Sequence, residues 1–305
     1  MKPEEILARP ARVLEQSQRQ LYFEQGYLAM PGLIAEKTLA PLRSTLDRLI
    51  DLSREVTQSN HQFDLEQGHN AENPRLRRVA YVDDLDPACW EFCSNSIIVD
   101  IAEDILGPNV RFRDVFANFK WAGGGAGVKW HQDIAFYPHT NLGTCQFLLG
   151  LENIGSEQGP LQVIPWSHKG PIYRHYDAKG SWTGAIEDAD LPGAGLDTAV
   201  EITGPAGLVS VHHSCIIHGS ARNTSTTGRP VFVITYSAAD AIPYTTAPYP
   251  SSHYGALVRG SQPPYAHHEE LHMPLPPDWS DGYTSIFTHQ DKLPPPLPGS
   301  ERSDH

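Results

Sequence analysis

The middle of the chain is a succession of short apolar runs separated by turn residues, with no helical pattern between them. Residues 110–121, V-R-F-R-D-V-F-A-N-F-K-W, alternate apolar with polar positions, which is typical of a strand with one buried face. Further runs follow as far as residue 237: C-Q-F-L-L-G-L, L-Q-V-I-P, A-V-E-I-T, G-L-V-S-V-H-H, C-I-I-H-G-S and P-V-F-V-I-T-Y-S. Successive strands without helices between them favour an antiparallel sandwich or barrel over a parallel α/β sheet.

The region before these strands has a different pattern. Residues 12–25, 38–56 and 87–106 carry apolar positions at helical spacing. Gly26 is placed to end the first helix, and Thr38 is placed to cap the second. The chain is therefore predicted to be mainly β with flanking N-terminal helices.

Two long segments lack periodicity, and a third differs from both in composition. Residues 57–77 are polar and predict a loop, while residues 170–197 are rich in glycine and acidic residues and predict a lid. The third segment, residues 241–300, holds many prolines, tyrosines and histidines. We expect one domain over residues 1–290, with a helical part at 1–108, a β core at 109–240, an irregular Pro-rich part at 241–290 and a disordered tail at 291–305.

Charge and composition exclude some partners. Lys plus Arg is 23 and Asp plus Glu is 36, so the formal net charge of −13 disfavours nucleic acid and anionic membranes. There is no apolar signal region at the N-terminus and no run long enough to cross a bilayer. Cys89 and Cys93 have no matching pair, so we expect reduced thiols in a cytoplasmic protein rather than a zinc site. The oligomeric state stays open.

The stretch at residues 129–139, K-W-H-Q-D-I-A-F-Y-P-H, places an imidazole and a carboxylate two positions apart. In a strand, His131 and Asp133 would point to the same face, with Gln132 pointing away. Two buried polar groups on one face cost free energy unless they are satisfied, and a divalent metal would satisfy them. A hydrogen-bonded structural pair is the alternative.

The best third ligand is His218, which ends the run C-I-I-H and precedes Gly219. Arg229 follows eleven residues later, and a hairpin would bring it near His218. Two His and one carboxylate with open positions opposite form the facial arrangement of non-haem Fe(II) oxygenases. A buried Arg beside such a site would bind a dicarboxylate cosubstrate through two parallel hydrogen bonds.

These residues, in this order, resemble the phytanoyl-CoA dioxygenase family. H-Q-D is followed by H-G-S-A-R-N-T-S and the Arg at +11, and F-E-Q-G-Y-L-A-M-P-G-L-I resembles the family's opening segment. G-P-L-Q-V-I-P-W-S-H resembles its G-x-L-x-x-x-P-G-S-H segment, with Trp166 where the family has Gly. We expect that departure to reshape a pocket wall. The resemblance covers residues 20–240 and implies a double-stranded β-helix, the jelly-roll fold of the cupins.

The resemblance also implies cofactors and site residues. It implies Fe(II), which His131, Asp133 and His218 would bind. It also implies O2 and the cosubstrate 2-oxoglutarate, whose distal carboxylate would be held by Arg229 and Ser220. Further cosubstrate contacts are expected at Asn118, Lys120 and Gln132. Candidate substrate contacts are Phe136, Tyr137, His139, Trp166 and His168.

The implied reaction is hydroxylation of a C–H bond of a small organic metabolite, with release of succinate and CO2. The carboxylate Asp133 favours hydroxylation over halogenation. Desaturation, epimerisation and ring formation use the same cofactors and stay open, as do a Zn or Mn hydrolase or isomerase and a non-catalytic metal- or ligand-binding protein.

Several polar and aromatic residues are expected to have ordinary structural roles. His212 and His213 are interpreted as non-ligands, because adjacent residues face opposite sides and at most one of them would face inward. The segment R-L-R-R at residues 75–78 is interpreted as a solvated turn, with an anionic substrate group as the alternative. Tyr244, Tyr249 and Tyr254 are interpreted as packing residues.

Overall fold

The computed structural model of the chain describes residues 1–280, 283 and 285–290, so the tail expected at 291–305 lies outside the described residues. Its α-helices are α1 (Pro3–Leu7), α2 (Gln16–Gln25), α3 (Glu36–Ser53), α4 (Val82–Leu85), α5 (Pro87–Asn95), α6 (Ile97–Leu106) and α7 (Ile286–Gln290). Its strands are β1 (Tyr27–Met30), β2 (Phe63–Leu65), β3 (Leu76–Val79), β4 (Val110–Lys120), β5 (Val128–His131), β6 (Thr144–Gly150), β7 (Leu161–Val163), β8 (Val200–Ile202), β9 (Val209–His213), β10 (His218–Ser220), β11 (Arg229–Ala238) and β12 (Leu257–Arg259). None of the helices in this part of the chain is long and apolar enough to cross a bilayer.

The strands form two antiparallel sheets. The larger sheet has the order β1-β9-β6-β11-β4-β3-β2, with β12 also paired to β4, and the smaller has the order β5-β10-β7-β8. Apolar side chains from both sheets pack together, including Phe116 and Leu148 from the larger sheet and Leu161 and Val163 from the smaller. This is the jelly-roll arrangement that the family resemblance implies.

Helices α3 to α6 cover the outer face of the larger sheet, whereas α7 packs against β5 of the smaller sheet. Helix α3 buries Leu39, Leu42, Leu46 and Leu49 on one side, and each contributes roughly 1.5–3 kcal/mol by leaving water. They join one core with alternate residues of β4, β6 and β11. Because the larger sheet is covered on both faces, most side chains of its central strands β4, β6 and β11 are buried.

Several boundaries differ from the sequence prediction. Gly26 ends α2 as expected, with φ of 88° and its N–H donating to the carbonyl of Tyr22. Helix α3 begins two residues before Thr38. The helix expected at 87–106 is two helices, because the backbone at Ser96 is extended. The loop expected at 57–77 contains β2 and the start of β3.

The hairpin expected between His218 and Arg229 does not form. Strand β10 lies in the smaller sheet and β11 in the larger, so the segment between them crosses from one sheet to the other. The two side chains still line one cavity, which lies between the sheets.

Candidate metal and cosubstrate site

Strand pairing brings the two imidazoles together. His131 in β5 and His218 in β10 are direct partners in the antiparallel ladder, and their ring centroids lie 4.1 Å apart. Asp133 is not in the strand, because the chain turns into a 3-10 helix at Asp133–Ala135. Its Oδ1 nevertheless lies 3.8 Å from Nε2 of His131 and 3.6 Å from Nε2 of His218. One ligand atom from each of the three residues lies within 4.8 Å of the others.

Backbone carbonyls decide which nitrogen of each imidazole is available. Nδ1 of His131 lies 2.8 Å from the carbonyl oxygen of Lys129, and Nδ1 of His218 lies 3.0 Å from that of Ile216. A carbonyl only accepts hydrogen bonds, so each Nδ1 carries the hydrogen and each Nε2 presents a lone pair. Metal-binding histidines are commonly oriented in this way.

Burial and mutual contact set the charges of the three residues. Burial lowers the pKa of His131 well below its ordinary value and lowers that of His218 to about 4, so both rings are neutral at pH 7. Burial alone would raise the pKa of Asp133, but the imidazoles of His218, His212 and His131 outweigh it and hold the pKa below its usual range. Two neutral imidazoles and a carboxylate are the donor set that a divalent iron ion accepts.

His212 in β9 contacts this cluster, and its role cannot be read from the sequence. Its Nε2 lies 3.1 Å from Oδ2 of Asp133. An ionised carboxylate only accepts, so His212 donates this hydrogen bond and holds the carboxylate in place. Strand alternation indicates that at most one of His212 and His213 faces inward, but it identifies neither the residue nor its partner.

Two buried cations lie beside the cluster. Arg229 in β11 pairs in register with Lys120 in β4. Nζ of Lys120 donates to Oγ of Ser220 at 2.8 Å and to the carbonyl oxygen of Ala221. Nε and Nη1 of Arg229 are buried and have no acceptor among the described residues. Burial lowers the pKa of Arg229 to about 10, and burial together with Arg229 lowers the pKa of Lys120.

Unmade hydrogen bonds at buried donors cost about 1–3 kcal/mol each, so these atoms need an acceptor. No carboxylate pairs with Arg229 or Lys120 in the part of the chain that the structure describes. The two cations and Ser220 therefore form a cradle that fits the carboxylate of a cosubstrate such as 2-oxoglutarate.

Asn118, Phe136 and Tyr137, which are expected to contact the cosubstrate or the substrate, line the same cavity. Gln132 does not, because its side chain is bound to backbone on the other side. Its Nε2 donates to the carbonyls of Cys215 and Pro171, at 2.7 and 3.1 Å. The expected cosubstrate contact of Gln132 is therefore wrong, and its side chain has a structural role.

Three candidate substrate residues lie away from the cavity. Nδ1 of His139 is bound to the carbonyl of Tyr137, and Nε2 of His168 to that of Phe23. The side chain of Trp166 is half exposed. Its φ of 65° lies in the left-handed region that favours glycine, which is the residue expected there by resemblance. The substitution therefore strains a turn and leaves the cavity wall unchanged.

Other residues of the cavity wall are not predicted by the sequence. They come from β3, β4, β6 and the C-terminal segment: Arg78, Asp114, Gln146, Tyr249, Tyr283, Ile286 and Phe287. Asp114 lies on the same face of β4 as Asn118 and Lys120, so the alternation along this strand could have predicted that Asp114 lines the cavity. The sequence predicts a solvated turn at Arg78, but this residue is buried in a strand.

Comparisons with known proteins agree with the resemblance. The family model described as phytanoyl-CoA dioxygenase (PhyH) matches residues 22–231. A protein of Stutzerimonas stutzeri named "Probable alpha-ketoglutarate-dependent hypophosphite dioxygenase" is 30% identical over 282 residues, which cover 90% of this chain and 97% of that protein. L-proline trans-4-hydroxylase of Streptomyces griseoviridis is 31% identical over 241 residues, which cover 73% and 86%.

Solved structures support the fold. EctD from S. alaskensis with 2-oxoglutarate and 5-hydroxyectoine aligns with a TM-score of 0.65 at 17% identity, covering 89% of this chain and 91% of that one. The carbocyclase SnoK from nogalamycin biosynthesis aligns with a TM-score of 0.60 at 21% identity, covering 79% and 90%. The two-sheet architecture is therefore shared with these proteins.

Proposed function

The chain belongs to the phytanoyl-CoA dioxygenase family and is an iron- and 2-oxoglutarate-dependent dioxygenase, and from this premise we propose that it hydroxylates a C–H bond of a small organic metabolite. The cosubstrate would leave as succinate and CO2. One observation carries the proposal: two neutral Nε2 atoms and a carboxylate converge beside a buried anion cradle in one cavity.

The roles proposed for the chain's residues follow from their contacts. His131, Asp133 and His218 would hold Fe(II), and His212 would orient the carboxylate of Asp133. When bound, iron supplies the activation of O2 that no side chain can perform. The task of the protein is to position the reactants and exclude water.

The cradle would hold the distal end of the cosubstrate. Arg229 would bind the distal carboxylate through its two unpaired nitrogens, Nε and Nη1. Ser220 is positioned beside it by the hydrogen bond from Lys120. Phe136 and Tyr137 form part of the wall and would contact the substrate.

A second candidate is oxidation of a small inorganic anion. The likeness to the hypophosphite dioxygenase extends over 97% of that protein, which is more than for the proline hydroxylase. The two candidates share cofactors and differ only in the bond that is oxidised.

The test is oxygen-dependent turnover by the Fe(II)-loaded protein. We expect conversion of 2-oxoglutarate to succinate, stimulated by a substrate, with one atom of ¹⁸O2 entering the substrate product by mass spectrometry. L-proline and hypophosphite are the first two probes. Absence of succinate above a protein-free control would contradict the proposal, as would oxygen-independent turnover with Zn or Mn.

A further inference from the structure

A third buried cation lies in the cavity, apart from the cosubstrate cradle. Arg78 in β3 is the register partner of Asn118 in β4. Its Nε donates to Oδ1 of Asn118 at 3.1 Å, and its Nη1 donates to the hydroxyl of Tyr249 at 2.6 Å. The guanidinium carbon lies 4.2 Å from the ring centroid of Phe116.

These contacts fix Arg78 in place. Burial would lower its pKa, but Tyr249, Tyr283 and Asp64, its register partner in β2, raise the pKa above its ordinary value. No carboxylate forms an ion pair with it among the described residues, and its Nη2 has no acceptor there. Because Arg only donates, Oδ1 of Asn118 must face the guanidinium, which turns the Asn118 amide nitrogen away from it. The Nη2 of this buried guanidinium is therefore available to an anion that enters the cavity.

An acidic residue lines the same cavity. Asp114 lies on the same face of β4 as Phe116 and Asn118. Thr235 donates to its Oδ1 at 2.8 Å, while its Oδ2 has no donor within the described part of the chain. Burial raises the pKa of Asp114 to about 7.

The spacing keeps the two groups from forming an ion pair, although the charge of Arg78 offsets part of the effect of burial on the pKa of Asp114. A two-residue step along a strand spans about 7 Å, and Arg78 lies over Phe116, one such step from Asp114. The structure accordingly contains no ion pair between them. A gap of this size accommodates a carboxylate and an ammonium group joined by one or two carbons.

We propose that Arg78 and Asp114 form the substrate subsite for a small zwitterion of the amino-acid class. Arg78 binds its carboxylate, and Asp114 binds its ammonium group. The inference rests on the proposed function and names the substrate class for that site. A simple anion would satisfy Arg78 but leave the Asp114 carboxylate without a partner, so the pair of residues favours the zwitterion over hypophosphite.

The first test uses unmodified protein, so folding cannot confound it. The Fe(II)-loaded enzyme is given 2-oxoglutarate and each of the twenty L-amino acids, with hypophosphite in parallel, and succinate is measured against the rate without substrate. Binding is measured separately by calorimetry without oxygen. We expect at least one amino acid to bind and to stimulate succinate formation.

Removing one charge from the best amino acid then tests each half of the subsite. Its amide lacks the anion, and its N-acetyl form lacks the cation. Each should require a concentration higher by roughly thirtyfold or more for half-maximal effect. Equal response to the N-acetyl form, stimulation by hypophosphite alone, or binding of no amino acid would overturn the subsite. Amino-acid binding without any succinate would instead overturn the proposed function.

Variants assign each charge to its residue. Arg78→Gln should weaken binding of the amino acid while leaving that of its amide unchanged. Asp114→Asn should weaken binding of the amino acid while leaving that of its N-acetyl form unchanged. Arg75→Gln is the control, because Arg75 pairs with Glu66 and does not line the cavity. If either cavity variant weakens the binding of all three ligands equally, the substituted residue has a structural role and the assignment is overturned.

Discussion

Two clusters in this molecule have nearly the same composition and very different surroundings. The first is His131, Asp133 and His218, between the two sheets; the second is Asp83, Asp84 and His253, where α4 meets the C-terminal segment. Composition and proximity alone would make both candidate metal sites.

In the second cluster, the side chains are already bound to one another and to other protein groups. Nδ1 of His253 lies 3.2 Å from Oδ2 of Asp83, and its ring stacks on Trp90 with centroids 3.9 Å apart. The hydroxyl of Ser251 also donates to Asp83, and the backbone N–H of Ser252 donates to Asp84. This cluster attaches the C-terminal segment to the helical part.

In the first cluster, the corresponding nitrogen–oxygen distances of 3.6 and 3.8 Å are too long for hydrogen bonds. Backbone carbonyls orient the rings, so both Nε2 lone pairs remain available. The comparison shows that ligand chemistry depends on which atoms the fold leaves without a protein partner.

The largest effect should follow removal of a ligand from the first cluster. We expect His131→Ala, Asp133→Ala and His218→Ala each to abolish Fe(II) binding and turnover, because two ligands hold iron too weakly. The metal-free variants should melt at or near the wild-type temperature. Iron content, succinate formation and circular dichroism check this, and wild-type turnover in any variant would remove that residue from the site.

Loss of Arg229, the cation proposed to bind the cosubstrate, should have the next largest effect. Arg229→Ala leaves the distal carboxylate of 2-oxoglutarate without its guanidinium, which should cost roughly 2–5 kcal/mol of binding. We expect the KM for 2-oxoglutarate to rise accordingly, and Arg229→Lys to recover part of the loss. An unchanged KM would show that another group binds that carboxylate.

The cavity carboxylate Asp114 should make stability depend on pH. Its pKa of about 7 in the folded state exceeds the ordinary value of 3.8. Its contribution to stability is therefore present below about pH 4 and is lost as the pH rises through 7. Asp114→Asn should stabilise the substrate-free protein by up to about 4 kcal/mol above pH 7 and by little near pH 4. Denaturant unfolding at both pH values tests this, and a pH-independent difference would contradict it.

His212 offers a smaller test, since it acts through Asp133 rather than on the metal. His212→Phe keeps a ring but removes the donor, and should weaken Fe(II) binding by roughly 10–100-fold. His212→Gln retains a donor and should bind more tightly than the Phe variant. Equal affinities in the two variants would show that the hydrogen bond to Asp133 has no positioning role.

The smallest effect is expected in the second cluster. His253→Ala removes the hydrogen bond to Asp83 and the stacking on Trp90, and should lower the free energy of unfolding by about 1–2 kcal/mol. Iron content and turnover should stay at wild-type values. Loss of iron from this variant would mean that the second cluster also binds metal.

Much of this protein can be read from the order of its residues. Alternation along residues 110–120 predicts β4 and places Asp114, Asn118 and Lys120 on one face. The H-Q-D and H-G-S motifs with the Arg at +11 identify the family. These features are local or follow a fixed order, so a linear sequence can carry them.

Tertiary structure decided which polar atoms lack partners. Gln132 is adjacent to two candidate ligands, but backbone carbonyls outside the cavity bind its amide. Arg78, in a basic tetrapeptide, is buried against Phe116 and Tyr249 from distant parts of the chain. Spacing along a chain determines which groups can share a face, whereas availability depends on neighbours far away in sequence, and those neighbours are set only when the sheets close on each other.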